Sequence, residues 1–290
     1  MTYKQEQQNI YQEKASKLTK KLPAFFDEYI MTLPSAQTRY SNMLKLVDWL
    51  EWTQKNGYIK SYELDEIDKI KAAHIIEYLD SLASTSKLAT IIRKKSVIGS
   101  FLGFLFFEGY ISCNEERRIP PQRFKVEKND KDSKTNIPTK EDIQDLFKNI
   151  KNMPRVETKL RWNAIVNLIM GTGIQSGELL GLDVDDLHLD DNCPYIEVER
   201  GKKGKAKVAI LKNRVEPIRD YLKWRNNNNA NTDALFVSGY GERLSKGTLD
   251  GFFIKHGDGK ITPTALKYWH DSVYNKYSKE EFVKKVLQGQ

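Results

Sequence analysis

The chain has 290 residues, 39% of them apolar and 30% charged, and 47 basic side chains outnumber 39 acidic ones for a formal charge of +8. That length holds one large domain or two ordinary ones with real cores, and long polar stretches argue against one uniform globule. The polar start, "MTYKQEQQNIYQEKASKLTKK", excludes a signal peptide and the longest apolar run, Phe101 to Phe107, is too short to cross a bilayer, so a soluble cytoplasmic protein with no membrane partner is expected.

Residues 2–21 predict a polar helix. "LPAFFDEYIMTL" and "SAQTRYSNMLKLVDWLEWTQKNG" carry apolar residues at helical spacing, with Leu44, Val47, Trp49 and Leu50 on the buried face and Asn56-Gly57 as the stop. "IKAAHIIEYLDSLA" and "KLATIIRKKSVIGSFLGFLFFEGY" are further helices, completing an all-helical unit over residues 1–116. Residues 117–138 hold three prolines and many charges with few large apolar residues, the composition of an extended basic linker.

A second unit, 139–290, opens at Thr139, an N-cap with Asp142 three residues on. "EDIQDLFKNI" and "KLRWNAIVNLIMGTG" are helices. After "GTGIQSGELLGL" comes an acidic loop, "LDVDDLHLDD", then strands "YIEVE" and "KVAIL" joined by a turn, "RGKKGKA". "EPIRDYLKWR" is a helix with Pro217 early in it, "NNNNAN" a loop and "LSKGTLDGFFIKHG" a helix. "TPTALKYWHDSVYNKY" starts with Thr262 as N-cap and Pro263 at the first helical position, and "SKEE" at 278–281 caps a last helix.

The charge excess is uneven: residues 1–120 carry 17 basic and 15 acidic side chains, residues 121–290 carry 30 and 24. Such an excess is common among nucleic-acid binders. Three regions are candidates for phosphate contact. No acid falls between Asp80 and Glu108, while Lys87, Arg93, Lys94 and Lys95 do. The linker begins with Arg117, Arg118, Arg123 and Lys125. The hairpin holds Arg200, Lys202, Lys203, Lys205 and Lys207, five basic residues in eight at a tip that could follow phosphates and release their counterions. Arg243 and Lys246 extend the candidate set. The acidic loop lacks the central glycine and closing glutamate of a calcium loop and reads as a solvated turn. His74, His188, His256 and His270 form no metal spacing, and Cys113 and Cys193 read as reduced thiols. No metal or cofactor is expected.

The order of motifs resembles the tyrosine recombinases, or phage integrases. "GTGIQSGELLGLDVDDLHLD" is similar to that family's box I, GTGLRxSELLGLxWxDIDL; "RGKKGKAKVAIL" resembles its hairpin, GKGxKxRxVPL; "ITPTALKYW" resembles its box II, TPHxLRHT. The likeness covers about residues 20–290 and implies a mainly α fold: a helical, SAM-like core-binding domain, then a catalytic-type domain whose helices carry a small β-hairpin sheet. It also implies the chemistry. A tyrosine attacks a DNA phosphate, two arginines clamp the non-bridging oxygens with their planar, permanently charged forks, and a hairpin lysine and histidines handle protons.

Carried over position by position, the first arginine falls on Gln175, the hairpin lysine on Lys202, the box II histidine on Thr264 and the second arginine on Lys267. The next histidine or tryptophan falls on Gln290, and the nucleophile lies beyond it. Tyr274 and Tyr277 are too close to Lys267 to replace it and read as helix packing. Catalytic residues are therefore expected to be degenerate, whereas Gln175, Thr264 and Lys267 can still hydrogen-bond a ground-state phosphate. The expectation is a non-catalytic binder of double-stranded DNA, a repressor of a prophage or mobile element. It could self-associate on DNA or meet an integrase or phage regulator. A divergent active recombinase, or an accessory factor of one, is the alternative.

Overall fold

The computed structural model describes residues 3–20, 22–121, 123–124, 137–189, 192–200, 204–228 and 232–274. The chain divides into two compact units, Met1–Asp132 and Ser133–Gln290. Among the described residues no helix is long and apolar enough to cross a membrane, and no group of His, Cys, Asp and Glu could hold a metal ion.

The first unit is all helical: α1 (Tyr3–Thr19), α2 (Phe25–Met31), α3 (Ala36–Lys55), a short α4 (Leu64–Ile67), α5 (Ala72–Ser81) and α6 (Leu88–Phe107), followed by a 3-10 turn at Glu115–Arg118. α3 starts where the Ser35 hydroxyl accepts the Thr38 N–H, satisfying one donor that the first turn leaves unpaired. Its core stripe is Met43, Leu46, Trp49 and Leu50, all fully buried. Leu44, expected on that face, instead projects outward and is 44% exposed, because it lies about 100° around the helix from Met43. Phe26 stacks on Phe101 at 4.9 Å and Tyr29 meets the same ring edge-on at 5.2 Å, so α2 and α6 share one aromatic layer.

The second unit is built around α8 (Val156–Thr172), whose residues from Ala164 to Thr172 are all buried. A helix apolar all round must be covered on every side, and α7 (Lys140–Lys151), α10 (Val215–Asn227) and α12 (Pro263–Tyr274) pack against it. Thr139 and Asp142 form a reciprocal cap at the start of α7. α9 (Ser176–Gly181) carries box I, and α11 (Lys246–His256) precedes box II. Three antiparallel strands, β1 (Leu187–His188), β2 (Tyr195–Glu199) and β3 (Lys205–Ala209), form one sheet in the order β1-β2-β3.

Three local expectations need correction. The acidic loop is not a solvated turn. It folds into a 3-10 turn at Val184–Asp186 and then β1, and Asp186 is buried, accepting the Asp183 N–H and a bond from Lys205. The second hairpin strand begins two residues earlier than "KVAIL", since Glu199 pairs with Lys205 and Glu197 with Lys207. Asn226 and Asn227 belong to α10 rather than to a loop. The interdomain segment 125–136, the hairpin tip 201–203, Asn229, Ala230 and Asn231, and everything from Asn275 on, including Tyr277, "SKEE" and Gln290, lie outside the described residues.

Candidate nucleic-acid interface

Box I leaves α8 through Gly173, whose φ of +65° is left-handed. A side chain is excluded there twice over, since a Cβ would also stand 2.5 Å from the His270 Nδ1 of α12. The close approach seats the box I turn against the box II helix. Gln175, two residues on, is exposed at the head of α9, and its N–H donates to the Glu178 carboxylate at 2.8 Å. The second oxygen of Glu178 accepts the Nε–H of Arg200 at 3.0 Å. One carboxylate thus ties the box I turn to the turn end of the hairpin.

α12 starts as expected, with the Thr262 hydroxyl accepting the Ala265 N–H at 3.0 Å. Thr264 is exposed. Lys267 does not stand as an open cation: its ammonium lies 2.6 Å from Asp271 one turn on. Burial pushes the Asp271 carboxyl up, and bonds and charge from Lys267 and His270 pull it further down, so it lies below its ordinary value on balance. His270 is buried, and burial holds its imidazole below the ordinary value of 6.5 against the opposing pull of Asp271. Tyr274 packs near the His270 ring at 5.1 Å.

The hairpin lysines that are described are engaged with acids. Lys205 lies 2.6 Å from Asp186 and 3.9 Å from Glu197, while Lys207 reaches Glu197 at 3.9 Å and bonds the Tyr195 hydroxyl at 3.1 Å. Lys202 and Lys203 lie outside the described residues. Arg243 is turned inward: it donates to the Leu180 and Leu182 carbonyls and pairs with Asp183, holding the exit from α9. Lys246 pairs with Asp250 on its own helix.

In the first unit, Lys87, just before α6, and Arg93, on it, are exposed. Lys94 is bound to Asp48 and Tyr78, and Lys95 to Glu116. Arg118 pairs with Glu115 at 3.2 Å, Arg123 with Asp80 at 2.6 Å, and Arg117 lies over the Phe107 ring at 6.0 Å. Lys125 lies outside the described residues.

Two basic residues escaped the sequence reading. Lys45 on α3 is held below the ordinary lysine value by burial and by Arg93 and Lys94, which places three cations on one patch of α3 and α6. Arg214 donates to Asn167 at 2.9 Å and lies over Trp269 at 5.9 Å, with burial pulling its guanidinium down from the ordinary value. Lys45 has no basic neighbour in sequence, and Arg214, at the end of a 3-10 turn Lys212–Arg214, is brought to Asn167 and Trp269 by packing within the second unit.

Residues 137–268 match the phage integrase family. The chain is 32% identical over 217 residues to tyrosine recombinase XerD of Oceanobacillus iheyensis, covering 69% of this chain and 67% of that protein. It is 30% identical over 164 residues to tyrosine recombinase XerC of Thermodesulfovibrio yellowstonii, covering 54% and 50%. The chain thus spans between about half and two thirds of these relatives. Its fold is similar to that of the XerH site-specific recombinase in a post-cleavage complex with palindromic difH substrate, with TM-score 0.66, 17% identity and coverage of 88% and 73%. It is similar in the same way to a lambda integrase dimer bound to a COC' core site, with TM-score 0.65, 17% identity and coverage of 92% and 90%.

Proposed function

The chain belongs to the phage integrase, or tyrosine recombinase, family, and from that premise we propose that it is a member that grips double-stranded DNA without cutting it and represses transcription in a prophage or mobile element. The observation that carries this reading is the Lys267–Asp271 pair. The family's reaction needs two full positive charges on the oxygens of a phosphorus becoming five-coordinate. Here one clamp position is the neutral Gln175, and the other is a lysine already offset by a carboxylate on its own helix. Each such donor lost costs on the order of 10²–10³ in rate, although the losses need not multiply. Thr264 offers no group that titrates near neutrality.

Ground-state binding asks less. Amide, hydroxyl and ammonium groups all bond phosphate oxygens, and exposed Lys87 and Arg93 add charge from the first unit. In this reading residues 1–116 are a core-binding domain, 117–138 a basic linker and 139–290 a catalytic-like domain. The DNA held by XerH and the dimer of lambda integrase support duplex DNA as partner and self-association on it. The repressor role rests on analogy.

The second reading is an active site-specific recombinase, favoured by relatives named as XerC and XerD tyrosine recombinases; a recombination accessory factor is its variant. Genome-wide occupancy in the native host, joined to a reporter for each occupied promoter, separates them. Repression requires sites over promoters and a reporter silenced by the chain alone. Occupancy confined to a recombination site, with no effect on any reporter, contradicts the repressor.

A further inference from the structure

We propose that Arg200 supplies, from the turn end of the hairpin just after β2, the guanidinium that Gln175 does not: a phosphate contact at the box I turn, delivered from the hairpin rather than from the box I turn itself. The inference rests on the reading above that the chain binds duplex DNA.

Three observations point to it. Arg200 is fixed by the sheet. It directly follows the last ladder pair, Glu199 with Lys205, and its N–H donates to the Gly204 carbonyl at 3.0 Å. Gly204 has a φ of +74°, which lets the chain turn back at that point. Its side chain is oriented by Glu178, which is only 14% exposed and bonds the Gln175 N–H with one oxygen and Arg200 Nε with the other. The guanidinium therefore stands beside the backbone of the residue that would otherwise carry it. Third, the guanidinium is planar, so engaging it through Nε leaves the terminal nitrogens for a ligand. Among the described residues those nitrogens bond nothing, and the side chain is 48% exposed.

The neighbouring cations are placed differently. Lys267 is held by Asp271, Lys205 by Asp186, and Arg243 by the carbonyls at the end of α9. Glu178 balances Arg200 in the free protein and holds its long side chain in one orientation, so less freedom is lost when phosphate binds. A bidentate arginine–phosphate contact is also stronger and more directional than a lysine contact.

The test compares wild type, Arg200→Gln, Gln175→Arg and the double variant for binding to a labelled random-sequence duplex across a salt series. Arg200→Gln is expected to weaken binding about tenfold and to reduce the log–log salt slope by about one unit, with the melting temperature little changed because the Arg200 side chain is 48% exposed and Glu178 keeps its bond from the Gln175 N–H. Adding Gln175→Arg to Arg200→Gln is expected to restore affinity to within about twofold, while the same change in wild type gains little. A merely structural Arg200 would not be rescued from position 175. Wild-type affinity in Arg200→Gln, or an equal gain from Gln175→Arg in both backgrounds, overturns the inference while leaving DNA binding intact. A wild-type chain with no affinity for duplex removes the underlying reading and the inference with it.

Discussion

Replacing Asp271 with alanine should make the protein bind DNA more tightly. The change removes the carboxylate 2.6 Å from the Lys267 ammonium. Alanine is a better helix former than aspartate, so α12 persists. Two effects then act in the same direction: Lys267 becomes available to a phosphate, and a negative charge beside the phosphate position disappears. Unit charges about 6 Å apart interact by roughly 0.7 kcal/mol in water and roughly 3 kcal/mol at an effective dielectric near 20. Lys267 and Asp271 are 29% and 28% exposed, which places the site between these two limits. A gain of about 1 kcal/mol, or roughly five- to tenfold in Kd, is expected. Freeing one cation should steepen the salt slope by about one unit. Fluorescence anisotropy of a labelled duplex between about 50 and 200 mM salt, a range over which phosphate contacts titrate, reads both quantities. An unchanged Kd and slope, or weaker binding, refutes the placement of Lys267 and Asp271 at the phosphate position.

Three further outcomes are expected. Gly173→Ala forces a side chain into a left-handed residue and onto His270, which should cost about 2 kcal/mol or more and lower the melting temperature by roughly 5 °C; an unaltered melt would mean the box I turn does not pack on α12. His270 has its folded value pulled down, mainly by burial, so the unfolded chain takes up the proton first. The stability it contributes is full above the ordinary value of 6.5 and is lost as pH falls through the lower folded value, and His270→Phe should flatten that fall in chemical denaturation between about pH 7 and 5. Changing Lys202, Lys203 and Lys205 together to alanine should flatten the salt slope by about two units rather than three, because Lys205 is already paired with Asp186; a slope equal to wild type would remove the hairpin from the interface.

Much of the architecture could be read from local signals. The Thr139–Asp142 cap, the Thr262-Pro263 start and the periodic apolar faces act within a few residues, and each forms an element where expected. The failures involve longer range. Leu44 and Met43 are both apolar, and only the packing of α3 decides which one faces the core. β1 is two residues long and sits in a charged stretch, so it carries no alternation to detect. The candidate basic residues show the same limit. Lys94, Lys95 and Arg243 find acids 46, 21 and 60 positions away in the chain, so charge counted along the sequence overstates what is open to a ligand. In the hairpin the register sets Glu197 and Glu199 opposite Lys207 and Lys205. The neutral Gln175 was legible from box I alone, whereas the Asp271 that offsets Lys267 and the Glu178 that orients Arg200 emerge only once side chains are placed.

The central claim, gripping DNA without cutting it, is tested most directly by trapping. A nicked suicide duplex built from an occupied genomic site lets any phosphotyrosyl intermediate accumulate, because the released strand diffuses away. The account predicts a salt-sensitive complex in a native gel and no DNA-shifted protein band after denaturation. A covalent adduct that survives denaturation and disappears when a tyrosine is changed to phenylalanine would contradict it.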